Sequence, residues 1–168
     1  MTAEAPTNSA RIVAFVAVVL AIAFIALALF WYGLSWDVQV RMWRDIADRF
    51  GGPMSFRFIL QPVMATIAAL HDGIADARSG RTPYLHTILN NPAERGARLR
   101  EAAISIGRVI LLGFGMDAIY QWRVLGTFYP GEAVLITLIL AVIPYFILRG
   151  PIERIAHWWI ARQSRSSR

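Results

Sequence analysis

Three stretches of the chain are strongly apolar: residues 12–36, 109–122 and 133–148. The first contains 25 consecutive uncharged residues, longer than the ~7–15 of a signal-peptide core, and closes on Trp31, Tyr32 and Trp36, an aromatic belt with no small-residue cleavage site. It reads as a retained transmembrane helix over residues 11–36, preceded by a polar, disordered segment 1–10. Residues 37–50 change period: Val40, Trp43, Ile46, Ala47 and Phe50 recur at helical spacing, with Arg41, Arg44, Asp45 and Asp48 opposite. That pattern predicts an amphipathic surface helix, broken at Gly51-Gly52-Pro53. Residues 56–70 are apolar except for Arg57, Gln61 and Thr66, which is short for a span. With Leu60, Val63, Ile67, Leu70 and Ile74 on one stripe, they read as a half-inserted helix.

Asn91-Pro92-Ala93-Glu94 combines a cap residue, a proline suited to a first helical position and an acid at capping-box spacing. One long helix is expected over residues 92–123, amphipathic first and transmembrane later. A turn at 124–131 follows, then a third span over 132–149 with a kink at Pro144. Arg149-Gly150-Pro151 is expected to end that span, leaving a basic interfacial helix and tail over 150–168. The fold class is thus all-α: an integral membrane protein with three transmembrane helices, plus cytoplasmic-side amphipathic and half-inserted helices in residues 37–91.

Charge sets the orientation. All seventeen basic residues are arginine, and fifteen lie in residues 41–108 and 149–168. Basic flanks stay cytoplasmic, so the N-terminus is expected outside and the C-terminus inside a bacterial inner membrane. The net charge of +6 arises from arginines interleaved with apolar segments. The expected partners are a bilayer with anionic headgroups and another membrane protein or a second copy of the chain, rather than nucleic acid. A surface collar of this size, with the central arginines all on one side, suggests docking there.

The absence of cysteine excludes disulfides, thiolate metal sites and a cysteine nucleophile. No Ser/His/Asp constellation, phosphate loop, H-E-x-x-H or G-x-S-x-G is present, so no enzyme activity, catalytic residue, cofactor or metal is expected. His71, His86 and His157 are scattered, and Asp72 with Asp76 lacks a third ligand. Asp117 is the sharpest polar candidate. A carboxylate in a membrane helix costs ~2.5–3.5 kcal/mol and needs a partner, for which Tyr120, Gln121 and Tyr145 are at hand. Ala14, Ala17, Ala21 and Ala28 on the first span, with Gly113 on the second, mark a close helix-packing or partner face.

The segments FRFILQPVMATIAALHDGIADARSGRTPY (56–84), NPAERGARLRE (91–101), MDAIYQ (116–121) and TFYPGEA through PYFILRGPIERIA (127–156) resemble an uncharacterised family of small bacterial inner-membrane proteins. That resemblance implies location and plan, and no activity or site residue. Two functions follow as expectations: a non-enzymatic accessory, structural or assembly subunit of a larger membrane complex, or a small homo-oligomeric channel, permease-like or holin-like, with Asp117 lining the path.

Overall fold

The computed structural model describes residues 6–81 and 83–166. Its order is α1 (Asn8–Trp31), α2 (Trp36–Asp48) with a 3₁₀ turn at Arg49–Gly51, α3 (Arg57–Ser79), α4 (Tyr84–Asn90), α5 (Pro92–Tyr120), α6 (Pro130–Thr137) and α7 (Ile143–Ser166). Two π-helical turns, Gln121–Leu125 and Leu138–Val142, extend α5 and join α6 to α7. Among the described residues the chain is all-helical. Four helices are long and apolar enough to cross a membrane: α1, α3, Pro92–Leu125 and Pro130–Gln163.

Local chemistry sets most boundaries. Thr7 accepts the Ala10 N–H and starts α1 inside the segment expected to be disordered; residues 1–5 lie outside the described residues. Ser35 caps α2 in the same way. Pro92 opens α5 as expected, although the Asn91 side chain makes no capping bond. Pro144 cannot donate to the Leu140 carbonyl, and the π-helical turn just before it absorbs the defect.

The expected stop at Pro151 does not occur, because α7 runs through it. Arg149 and Glu153, on either side of that proline, are held by α3 and by the start of α4, so tertiary bonds keep the turn helical. α3, expected as a half-inserted helix, is one of the four helices long and apolar enough to cross a membrane. This helix is 23 residues long, and Arg57, Gln61 and Asp76 are buried against the rest of the bundle rather than pointing to lipid or headgroups.

Contacts ordered along the chain give the helix directions. Ala14 packs at Gly107, Phe24 meets Phe114 at 5.2 Å and Phe128 at 5.4 Å, and the Tyr32 hydroxyl donates to the Phe128 carbonyl, so α1 and α5 run the same way. Arg57 pairs with Asp117 and Asp76 with Arg98, so α3 runs opposite to α5. Asp76 pairs with Arg149, and the Ala77 carbonyl lies by His157, so α3 and α7 run together. The four long helices therefore alternate up, down, up, down. An outward-starting α1 crossing opposite to α5 does not match this parallel course. The expected single collar is split as well: α2 lies at the end of the α6 start, whereas α4 and the start of α5 lie at the end where α1 begins and α7 finishes.

Candidate functional site

The small residues of α1 form its inner face. A Cβ added at Gly107 would lie 3.1 Å from the Ala14 Cα, and one at Gly131 would lie 3.2 Å from the Ala28 Cβ. Ala17 and Ala21 line a small apolar cavity of about 70 Å³ with Ile110, Phe114 and Val134. These alanines are therefore packed on the chain's own α5 and α6. Dispersion at close approach is what holds helices together where lipid removes the hydrophobic drive.

The polar candidates separate into two networks at opposite ends of the bundle. The first centres on Asp117, which is 0% exposed. Its Oδ1 accepts from the Nη1 of Arg49 and, at 2.7 Å, from the Nη1 of Arg57; its Oδ2 accepts from the Gln121 amide. Arg49 also donates to Glu132 at 2.6 Å and lies over the Tyr120 ring, 4.7 Å from its centroid. Glu132 takes a further bond from Arg41 at 2.7 Å, and Arg41 pairs with Asp45 and stacks 3.6 Å from the Tyr129 centroid. Gln121 ties the same end to the turn before α6 through the backbone of Tyr129.

Gln121 thus bonds Asp117, whereas Tyr120 meets it only through Arg49, whose guanidinium lies over the Tyr120 ring. Tyr145 does neither, since it belongs to the second network. Arg49 and Arg57, read from the sequence as surface cations, are each 1% exposed, and Glu132 is more than a helix-start acid. The available signal was charge balance: a buried acid on an apolar helix requires cations, and the 3₁₀ turn after α2 and the start of α3 supply Arg49 and Arg57.

The second network centres on Asp76. Arg149 donates to it through Nε at 2.9 Å and Nη2 at 2.7 Å, and Arg98 donates at 3.1 Å. Arg149 also bonds the Tyr145 hydroxyl, which donates to Asp72 at 2.6 Å. Arg98 reaches Glu101 at 3.3 Å. Tyr84 lies under this cluster: its hydroxyl donates to the Arg98 carbonyl, its N–H donates to Glu153, and its ring faces Arg149 at 3.8 Å. Burial pushes the Tyr84 phenol up to about 12, against the pull of Arg149 and Arg98. His71 is exposed, and no group of three metal-ligating side chains occurs among the described residues.

The networks differ in saturation. Around Asp117, Arg49 Nε, Arg57 Nε and Nη2, both Gln61 amide atoms and Thr137 Oγ1 are buried without a protein hydrogen-bond partner. Gln61 and Thr137 meet at Gly113, where an added Cβ would overlap the Gln61 amide and lie 2.8 Å from the Thr137 hydroxyl. Gly113 thus makes room for two polar side chains against the α5 backbone. Chemically, both networks pair guanidinium with carboxylate and fasten helices to one another. Comparisons with protein families, with curated proteins and with solved structures return no match to this chain.

Proposed function

We propose that this chain is a non-catalytic accessory or structural subunit of a membrane complex, fastened internally by its two ion-pair networks and docking through α1. The observation that carries the reading is the asymmetry of α1. Only 11% of its apolar window is buried, against 44% for each of the two 34-residue helices. Its closest approach to the bundle is made by alanines, with Phe24 packed beside them, while Ile12, Phe15, Val19, Ile22 and Phe30 project outward. An outer face with two phenylalanines and β-branched residues offers a rigid surface to another membrane helix. The channel reading lacks such support, since both Asp117 oxygens are engaged by Arg49, Arg57 and Gln121.

The proposed topology has four crossings, not three, with both termini on the same side of a bacterial inner membrane. Arg11, Arg78, Arg81, Arg95, Arg100, Arg154 and Arg162 gather at the terminal end, against Arg41, Arg44 and Arg123 at the other. By the positive-inside rule that terminal end is cytoplasmic.

The absence of native cysteine makes the test direct. An Ile22→Cys variant, treated with a bifunctional crosslinker in native membranes, is expected to give one discrete heavier adduct, whereas Ala17→Cys gives none. A monodisperse monomer after mild solubilisation, with no Ile22 adduct, overturns the docking reading. Labelling by an impermeant maleimide at Ser35→Cys but not at Ser9→Cys in intact cells checks the topology.

A further inference from the structure

At the end where α1 leaves the bundle, a groove of about 300 Å³ opens between α1, α2 and α6. Ile25, Leu29, Val38, Met42, Leu135 and Leu138 make it apolar, and Arg41, Glu132, Tyr32 and Tyr129 stand at its polar edge. Its size is at the lower end of the ~300–1,000 Å³ range of small-molecule sites, which suits one hydrocarbon chain.

The rim supplies the selectivity. Arg41 is 31% exposed and engages Asp45 and Glu132 through Nη1, and its Nε and Nη2 make no hydrogen bond among the described residues. Arg44 lies exposed one turn on. Acids stand among these cations: Asp37 and Asp45 sit one turn before and after Arg41, ~6 Å away along the axis, and exposed Asp48 follows. Arg49 is buried and already holds Asp117 and Glu132. The polar face of α2 therefore carries two cations and three carboxylates, of which Arg44, Asp37 and Asp48 are exposed while the half-buried Arg41 and Asp45 pair with each other. A headgroup bearing only negative charge meets a repulsive face, whereas one bearing both a phosphate and an ammonium finds partners for each.

We propose that this groove is a phospholipid site selective for a zwitterionic, phosphatidylethanolamine-type lipid, with one acyl chain between α1 and α6, the phosphate on Arg41 and Arg44, and the ammonium on Asp37 or Asp45. The site rests on membrane insertion and is independent of what docks on the outer face of α1. It also departs from the expectation of anionic headgroup binding, which belongs to the arginine-rich opposite end.

Delipidated protein in mild detergent, titrated with phosphatidylethanolamine and phosphatidylglycerol of identical chains and read by native mass spectrometry, tests it. Retained adducts are expected for the ethanolamine lipid in preference to the glycerol lipid. Arg41→Gln is expected to weaken the former roughly tenfold, the value of one lost charge-assisted hydrogen bond. Leu135→Trp fills the groove without touching the ion pairs and is expected to abolish retention at an unchanged melting temperature. A phosphatidylethanolamine with a photoreactive group on its acyl chain, used on the unaltered protein, is expected to label α1 and α6 residues of the groove. Equal or stronger retention of phosphatidylglycerol, unchanged retention in Leu135→Trp, or label confined to other helices overturns the proposal, as does crosslinking of the groove to a second copy.

Discussion

The Asp117 and Asp76 networks are built to one plan: a buried aspartate held by two arginines from different segments, with an arginine over a tyrosine ring. They differ in redundancy. Around Asp76 each arginine has a fallback, since Arg98 also reaches Glu101 and Arg149 also reaches Asp72 and Tyr145. Around Asp117, Arg57 pairs with no other acid among the described residues, and several polar atoms nearby have no protein partner there. Breaking a buried pair costs most when it strands a charge, so redundancy rather than bond number decides how each end responds to change.

The largest expected effect follows from that contrast. Asp117→Ala strands Arg57 and leaves Arg49 with Glu132 alone, and should cost about 3–5 kcal/mol, whereas Asp76→Ala should cost visibly less. Reversible unfolding in mixed micelles measures both; equal losses would remove the distinction.

Next come the two glycines that seat α3. A Cβ at Gly73 would stand 2.8 Å from Ile152 Cγ2, 3.0 Å from the Arg149 carbonyl oxygen and 3.2 Å from the Glu153 nitrogen, with backbone that cannot swing aside. At Gly113 the obstructing atoms are side-chain ends. Gly73→Ala should cost about 1–3 kcal/mol and exceed Gly113→Ala in the same assay.

A smaller effect, opposite in sign, separates the ends further. Gln61→Leu with Thr137→Val removes polar atoms that lack partners and should be neutral or stabilising by about 1 kcal/mol, while Tyr145→Phe, which loses bonds to Asp72 and Arg149, should destabilise by a similar amount. A loss of stability in the double variant would show that those atoms are satisfied in the membrane.

The smallest is a pH effect at the Asp76 end. The folded phenol of Tyr84 titrates near 12, above its ordinary value of 10. Its contribution is therefore fully present below pH 10 and is lost as pH rises toward 12, because only the unfolded chain ionises in that window. Thermal melts of Tyr84→Phe should show a shallower alkaline decline than those of the unaltered protein.

Much of the helical plan was legible along the chain. The long uncharged run of α1, the proline opening α5 and the glycine- and proline-bearing turn before α6 act through local physics, namely hydropathy, fixed φ and missing donors. The alanine face of α1 and the need of Asp117 for partners were also legible, because crowding and desolvation are costs carried by the residue itself. Where polar side chains point was not. The apolar run 56–70, bounded and interrupted by polar residues, read as too short to cross, and Arg49 was counted among the surface arginines. For Arg49 and Arg57 the picture changes once the side chain is turned toward Asp117, more than fifty residues away. The parallel course of α1 and α5 likewise follows from packing, which decides whether α3 returns through the bundle or lies on its surface.

By itself, then, the sequence determined an all-helical, strongly apolar chain with a buried acid and a small-residue face. The tertiary structure alone decided that four long helices alternate, that Tyr145 bonds Asp72 and Arg149 rather than Asp117, and that the arginines divide between two ends. The physical reason is that a charge in an apolar helix has two remedies, reaching water or reaching an opposite charge, and only the three-dimensional distance between partners selects one.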